Sequence, residues 1–183
     1  MAENKKNDYN DDCPSASVLL EISKNEYGRE RERSNMLDNK AGFFLSASIA
    51  VLTILIPIIP FSKIIDFFSS ATKGYIAMAI IALCLLLTAL ILFIISIYNL
   101  YSAYKVQKFK NINYENLNDK QLLQTQKTQT ELGFISHYNT ILVFNAEVNN
   151  EKAQKIQIGL KYSVLSFSFM FISTIFLIIL IGG

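Results

Sequence analysis

The chain has 183 residues, 51% hydrophobic and 17% charged, with a formal net charge of only +2. So small a balance excludes nucleic-acid binding through bulk charge. The two cysteines, Cys13 near the N-terminus and Cys84 in an apolar run, lie where they cannot meet, which excludes a disulfide framework, and no metal-ligand spacing exists.

Residues 1–14 are polar, rich in Asn and Asp, and read as a mobile tail ended by Pro14. Ser15 or Ser17 can cap a helix that follows, because an apolar stretch with Glu21 opens there. Over 15–40 the pattern predicts a charged amphipathic helix with Glu26–Arg29 and Glu30–Arg33 pairs, and Gly28 as a bend. This helix runs into a first apolar run, 41–60, whose outer end Pro57 and Pro60 terminate. The run begins only after residue 40 and behind many charges, which does not suit a cleavable signal peptide. A connection over 61–73 leads to a second apolar run, 74–100, which continues into Tyr98, Tyr101 and Tyr104 as an aromatic belt, with Lys105 and Lys108 as anchors after it. Residues 111–130 show no clear period and read as a loop or a polar helix. From about Glu131 a 3,4-spaced stripe begins: Leu132, Ile135, Tyr138, Leu142, Asn145, Asn149, Lys152, Ile156, Gly159, Ser163 and Ser166. No proline breaks it before the third apolar run, 163–183, so the pattern predicts one helix of about 50 residues, ~75 Å long.

Each apolar run approaches or exceeds the roughly 20 residues that cross a ~30 Å hydrocarbon layer. A soluble chain of this length has no core to hide three of them. The fold class expected is therefore an all-α membrane protein: three transmembrane helices with cytoplasmic helical extensions, the last forming one long helix with the third span. Fifteen of the seventeen Lys and Arg residues lie in the first forty residues or in 101–162, and only Lys63 and Lys73 lie between the first two runs. By the positive-inside rule the N-terminus and 101–162 are cytoplasmic, and 61–73 is external.

Four sets of residues can carry function, and each has a plainer reading beside it. Asn145, Asn149 and Lys152 are polar rungs that line a path or sense a ligand; equally, Asn in a helix core fixes register and oligomer state. Asp38 and Lys40 sit where the first span enters the bilayer, either as an interfacial anchor or as a latch in which Asp38 bridges to a cation such as Lys155 or Lys161. Arg29, Arg31 and Arg33 suit phosphate, although Glu30 and Glu32 partly neutralise them. Gly42, Ser46 and Ala50, with Gly159, Ser163 and Ser166, let helices approach closely, for packing or for a pore. His137, the single histidine, reads as a surface residue. No nucleophile–base set, HExxH or glycine-rich phosphate loop is present in the sequence, so catalysis and a cofactor are not expected.

Residues 31–42 (RERSNMLDNKAG), running directly into a span, resemble the opening of the Pycsar-type transmembrane effectors, where an Asp-x-Lys-Ala element precedes the first span. Tyr138, Asn139, Asn145, Asn149, Asn150, Lys152 and Ala153, ahead of the third run, are similar to that family's later segment. The 101–130 stretch departs from the pattern. The resemblance implies a bacterial antiphage effector of the inner membrane, silent until a cyclic-nucleotide-type signal triggers permeabilisation. A homo-oligomer built around the long helix is the expected assembly. The competing class is a non-catalytic membrane anchor or accessory subunit for a soluble defence partner. A holin-like lysis protein and a membrane-embedded enzyme fit less well, the first because the charged part is large, the second because no span holds a charge suited to acid–base work.

Overall fold

The computed structural model describes residues 13–59, 64, 73–105, 109–112 and 125–182. The expected tail over 1–14 falls outside them up to residue 12, as do Pro60, Lys63, most of the 61–73 connection, Lys108 and most of 111–130. Three α-helices account for nearly all described residues: α1 (Ala16–Leu55), α2 (Lys73–Tyr104) and α3 (Lys127–Gly182). All three are long and apolar enough to cross a membrane.

Helix α1 starts after Pro14, with Ser15 at the capping position and its carbonyl accepting the Leu19 amide at 2.9 Å. It passes through Gly28 as one 40-residue helix, without an interruption there. It stops at Leu55, where Pro57 tightens the chain into a 3₁₀ turn (Ile56–Ile58) and Ile59, the residue before Pro60, turns extended with ψ 120°. Helix α3 runs 56 residues as one piece, the long helix that its stripe predicts.

The chain divides into two compact units: residues 1–33 with 108–147, and residues 34–107 with 148–183. In the second unit, α2 buries Ala79, Ala82, Leu86, Ala89, Phe93, Ser96, Leu100 and Ala103, a strict 3,4 alternation. Helix α3 answers with Asn149, Lys152, Ile156, Gly159, Ser163, Ser166, Met170, Ser173 and Leu177, in the same alternation. Small residues recur every seventh position on both helices, and α1 adds Ser34, Ala41 and Ser48 at that interval. A seven-residue repeat keeps one seam inward along the whole crossing.

Serine hydroxyls stitch this seam. Ser96 donates to the Gly159 carbonyl, Ser166 to the Ala89 carbonyl and Ser173 to the Ala82 carbonyl, each at 2.7 Å. The contacts step forward along α3 while stepping back along α2, so these helices are antiparallel. Helix α1 meets α3 through Ser34–Lys152 and Ser48–Ser163, ascending together, so that pair is parallel. Two apolar clusters flank the stitches, one around Ala41, Leu100, Ala103 and Ile156, the other around Leu86, Ala89, Met170 and Leu177. Outward, the same helices present Phe43, Ile54, Ile81, Leu87, Ile94, Val164, Phe171 and Ile179, all exposed. A surface so apolar suits lipid and not water.

The first unit is held by a short segment without regular secondary structure, 109–112, lying against α1 and α3. Tyr27 packs its ring against Phe109 and Tyr138, and its hydroxyl donates to Asn111 Oδ1 at 3.3 Å.

Candidate functional site

Among the described residues, Lys152 is the one charged residue that is buried, its side chain 3% exposed. It occupies a seam position that α3 fills with Gly159, Ser166 and Ser173 at later repeats, so its long side chain has to leave the α2 contact and reach elsewhere. Helix α1 supplies the destination with Ser34 and Asp38, one turn apart on the same face. Lys152 Nζ donates to Asp38 Oδ1 at 2.8 Å, to Asp38 Oδ2 at 3.1 Å and to Ser34 Oγ at 3.2 Å. Three acceptors match the three hydrogens of an ammonium, which is the condition for burying one. The carboxylate is more open, with the Asp38 side chain 30% exposed.

This arrangement amends the expected latch. Asp38 does bridge to α3, but to Lys152; Lys155 instead pairs with Glu151 at 2.8 Å on its own helix, and Lys161 is exposed. Lys40, two residues from Asp38, is exposed and outside the pair. The sequence pattern passed over Ser34, whose signal was the seven-residue interval to Ala41 and Ser48.

The other candidates distribute unevenly. Asn145 is fully buried and clamps the backbone of Lys110: its Oδ1 accepts the Lys110 amide at 2.9 Å and its Nδ2 donates to the Lys110 carbonyl at 3.1 Å. Asn149 is also fully buried. Neither presents a surface that a ligand can touch in this state. At Leu142 the stripe drifts by one residue, since Ile141 takes the buried position, and Leu132 is exposed. Arg29 and Arg33 lie on one face of α1, each bonded to a glutamate three residues back at 2.7 and 3.4 Å; Arg31 falls between them on the opposite side. The three guanidinium groups therefore do not converge. On α1, Ser46 and Ala50 are exposed, while the packed small positions are Ala41 and Ser48. Gly42 faces the Tyr104 ring with ordinary spacing, a built Cβ lying 3.7 Å from it. Gly159, Ser163 and Ser166 all lie in the seam, and at Gly159 a Cβ would come within 2.7 Å of Leu100 Cγ. Ser96 and Ser173, which carry two of the three stitches, were not singled out from sequence. Ser173 continues the Gly159–Ser166 interval and was legible there. His137 is exposed. No group of three or more His, Cys, Asp or Glu side chains that could hold a metal comes together among the described residues.

The lengthwise match decides the family. The model of the Pycsar effector protein domain covers residues 23–181, from the charged half of α1 almost to the end of α3. The chain belongs to the Pycsar effector protein family. No curated protein and no solved structure matches it. As a Pycsar effector it is a multi-pass membrane protein of antiphage defence, a membrane effector without a known catalytic fold. The Pycsar effector match spans Asp38, Lys40 and Ala41 as well as the polar run before the third span, the two segments that carry the resemblance in sequence.

Proposed function

We propose that this chain is a signal-gated effector that permeabilises the bacterial inner membrane as a homo-oligomer, with the N-terminus, 15–40 and 101–162 in the cytoplasm and 61–73 outside. A cyclic nucleotide of the kind the family name implies is the expected trigger. The observation that carries this is the polarity of the second unit: apolar side chains face outward, whereas Ser48, Ser96, Ser163, Ser166, Ser173 and Lys152 are turned inward. A bundle built in this way keeps a wettable lining shut between packed helices. Packed helix interfaces have discrete alternatives, so a rotation or splay of α3 exposes that lining to water in one step. Binding at the cytoplasmic helices biases the equilibrium only through a difference in affinity between the shut and open states.

The test is dye release from proteoliposomes carrying the full chain, with cyclic mononucleotides added one at a time, alongside particle mass in nanodiscs. Release with one nucleotide and a defined ring of copies supports the gated effector. A monomer or dimer that leaves vesicles sealed with every nucleotide removes it. A second role, anchoring a soluble defence partner, draws support from Val18, Leu19 and Ile22, which are exposed together on the first turns of α1.

A further inference from the structure

The Asp38–Lys152 pair is unequally buried. Lys152 is 3% exposed and Asp38 is 30% exposed, so the anion can be solvated where it stands and the cation cannot. Losing the carboxylate leaves an ammonium enclosed between helices with Ser34 as its remaining acceptor, a state that a protein interior does not tolerate. Losing the ammonium leaves a carboxylate already in touch with solvent. The neighbouring Glu151 and Lys155 are bonded to each other. Lys152 also stands in the early part of the seam, two helical turns before Gly159 and about three before the Ser48–Ser163 contact.

We propose that Asp38–Lys152 is a one-sided lock on the closed bundle: withdrawing Asp38 drives α3 away from α1 and admits water to the seam at Ser163, whereas withdrawing Lys152 does not. Whatever signal disturbs α1 near Asp38 thus has a large effect for a small movement, because the enclosed cation must then find water. The lock deepens the gated-effector reading and rests on it for one consequence alone, that the unlocked seam leaks.

The experiment uses the full chain in proteoliposomes, with Cys13→Ser and Cys84→Ala as background and Ser163→Cys as reporter, labelled by a membrane-impermeant maleimide. Asp38→Asn is expected to raise the labelling rate about tenfold, an unpaired buried charge being strongly unfavourable. Lys152→Met and the double variant Asp38→Asn with Lys152→Met are expected to label at the parent rate. Equal acceleration in all three makes the pair symmetrical glue and overturns the lock, as does an Asp38→Asn rate equal to the parent. Should Asp38→Asn fail to accumulate, recovery of folded yield by adding Lys152→Met supports the lock, and no recovery overturns it. Dye release from the same vesicles separates the two readings. The expected labelling pattern with no release under any nucleotide keeps the lock and sinks the gated effector. Release by the parent with unchanged Asp38→Asn labelling does the reverse.

Discussion

Asn145 and Lys152 are neighbours in one sequence stripe yet do unrelated jobs. Asn145 spends a donor and an acceptor on the Lys110 backbone, supplying partners that a segment outside any helix does not find within itself. Asn145→Ala removes both hydrogen bonds from the part-buried Lys110 backbone, with an expected destabilisation of about 2 kcal/mol. Hydrogen exchange checks it: the Lys110 amide should lose its protection, and unchanged exchange there would show that the clamp is unimportant. Glycines divide in the same residue-specific way. At Gly159 an added methyl meets Leu100 side chain at 2.7 and 2.9 Å and its backbone nitrogen at 3.3 Å. Gly159→Ala is thus expected to cost about 1–3 kcal/mol by overpacking, while Gly42→Ala, meeting only a ring at 3.7 Å, is expected near neutral. Unfolding midpoints in detergent titration rank the two; a harmless Gly159→Ala would mean that α2 yields easily.

At the scale of the helix, the useful contrast is where each hydroxyl sends its hydrogen. Thr53, Thr88 and Ser168, on outward faces, bond their own helix four residues back. Ser96, Ser166 and Ser173 reach across to the partner's carbonyl. Ser173→Ala is therefore expected to weaken α2–α3 packing by about 0.6 kcal/mol, the typical worth of an interhelical bond in a membrane, with Ser168→Ala close to zero. The same detergent titration compares them, and identical midpoints would assign the seam's strength to packing alone. The 3,4 alternation of buried positions was visible for α3 from sequence, because its polar and small residues stand out against apolar neighbours. It was hidden on α2, where Leu, Ile and Ala fill both the buried and the lipid-facing positions.

At the scale of the molecule, the second unit turns large apolar side chains outward and serine hydroxyls inward, the arrangement a lipid solvent favours. The proposed orientation rests on the charge distribution: fifteen cationic residues stand against two in the 61–73 connection. A reporter active only outside the cytoplasm is expected to work when inserted near residue 66 and to be silent near residue 126. Activity at the second site would invert the proposed topology.

Hydropathy, charge asymmetry and the unbroken 3,4 stripe by themselves determined three spans, an all-helical class and a third helix longer than a bilayer. They do so because chain length, solvation of the backbone and proline-free periodicity are local or one-dimensional properties. Two short motifs pointed to the family. Which small residues pack, which asparagine clamps a backbone and which lysine meets Asp38 were decided only in three dimensions. Lys152 was one of several cations within reach of the right face, and an i,i+3 or i,i+7 interval cannot say which partner helix lies opposite. That choice depends on the register between α1 and α3, set by contacts more than a hundred residues apart in sequence.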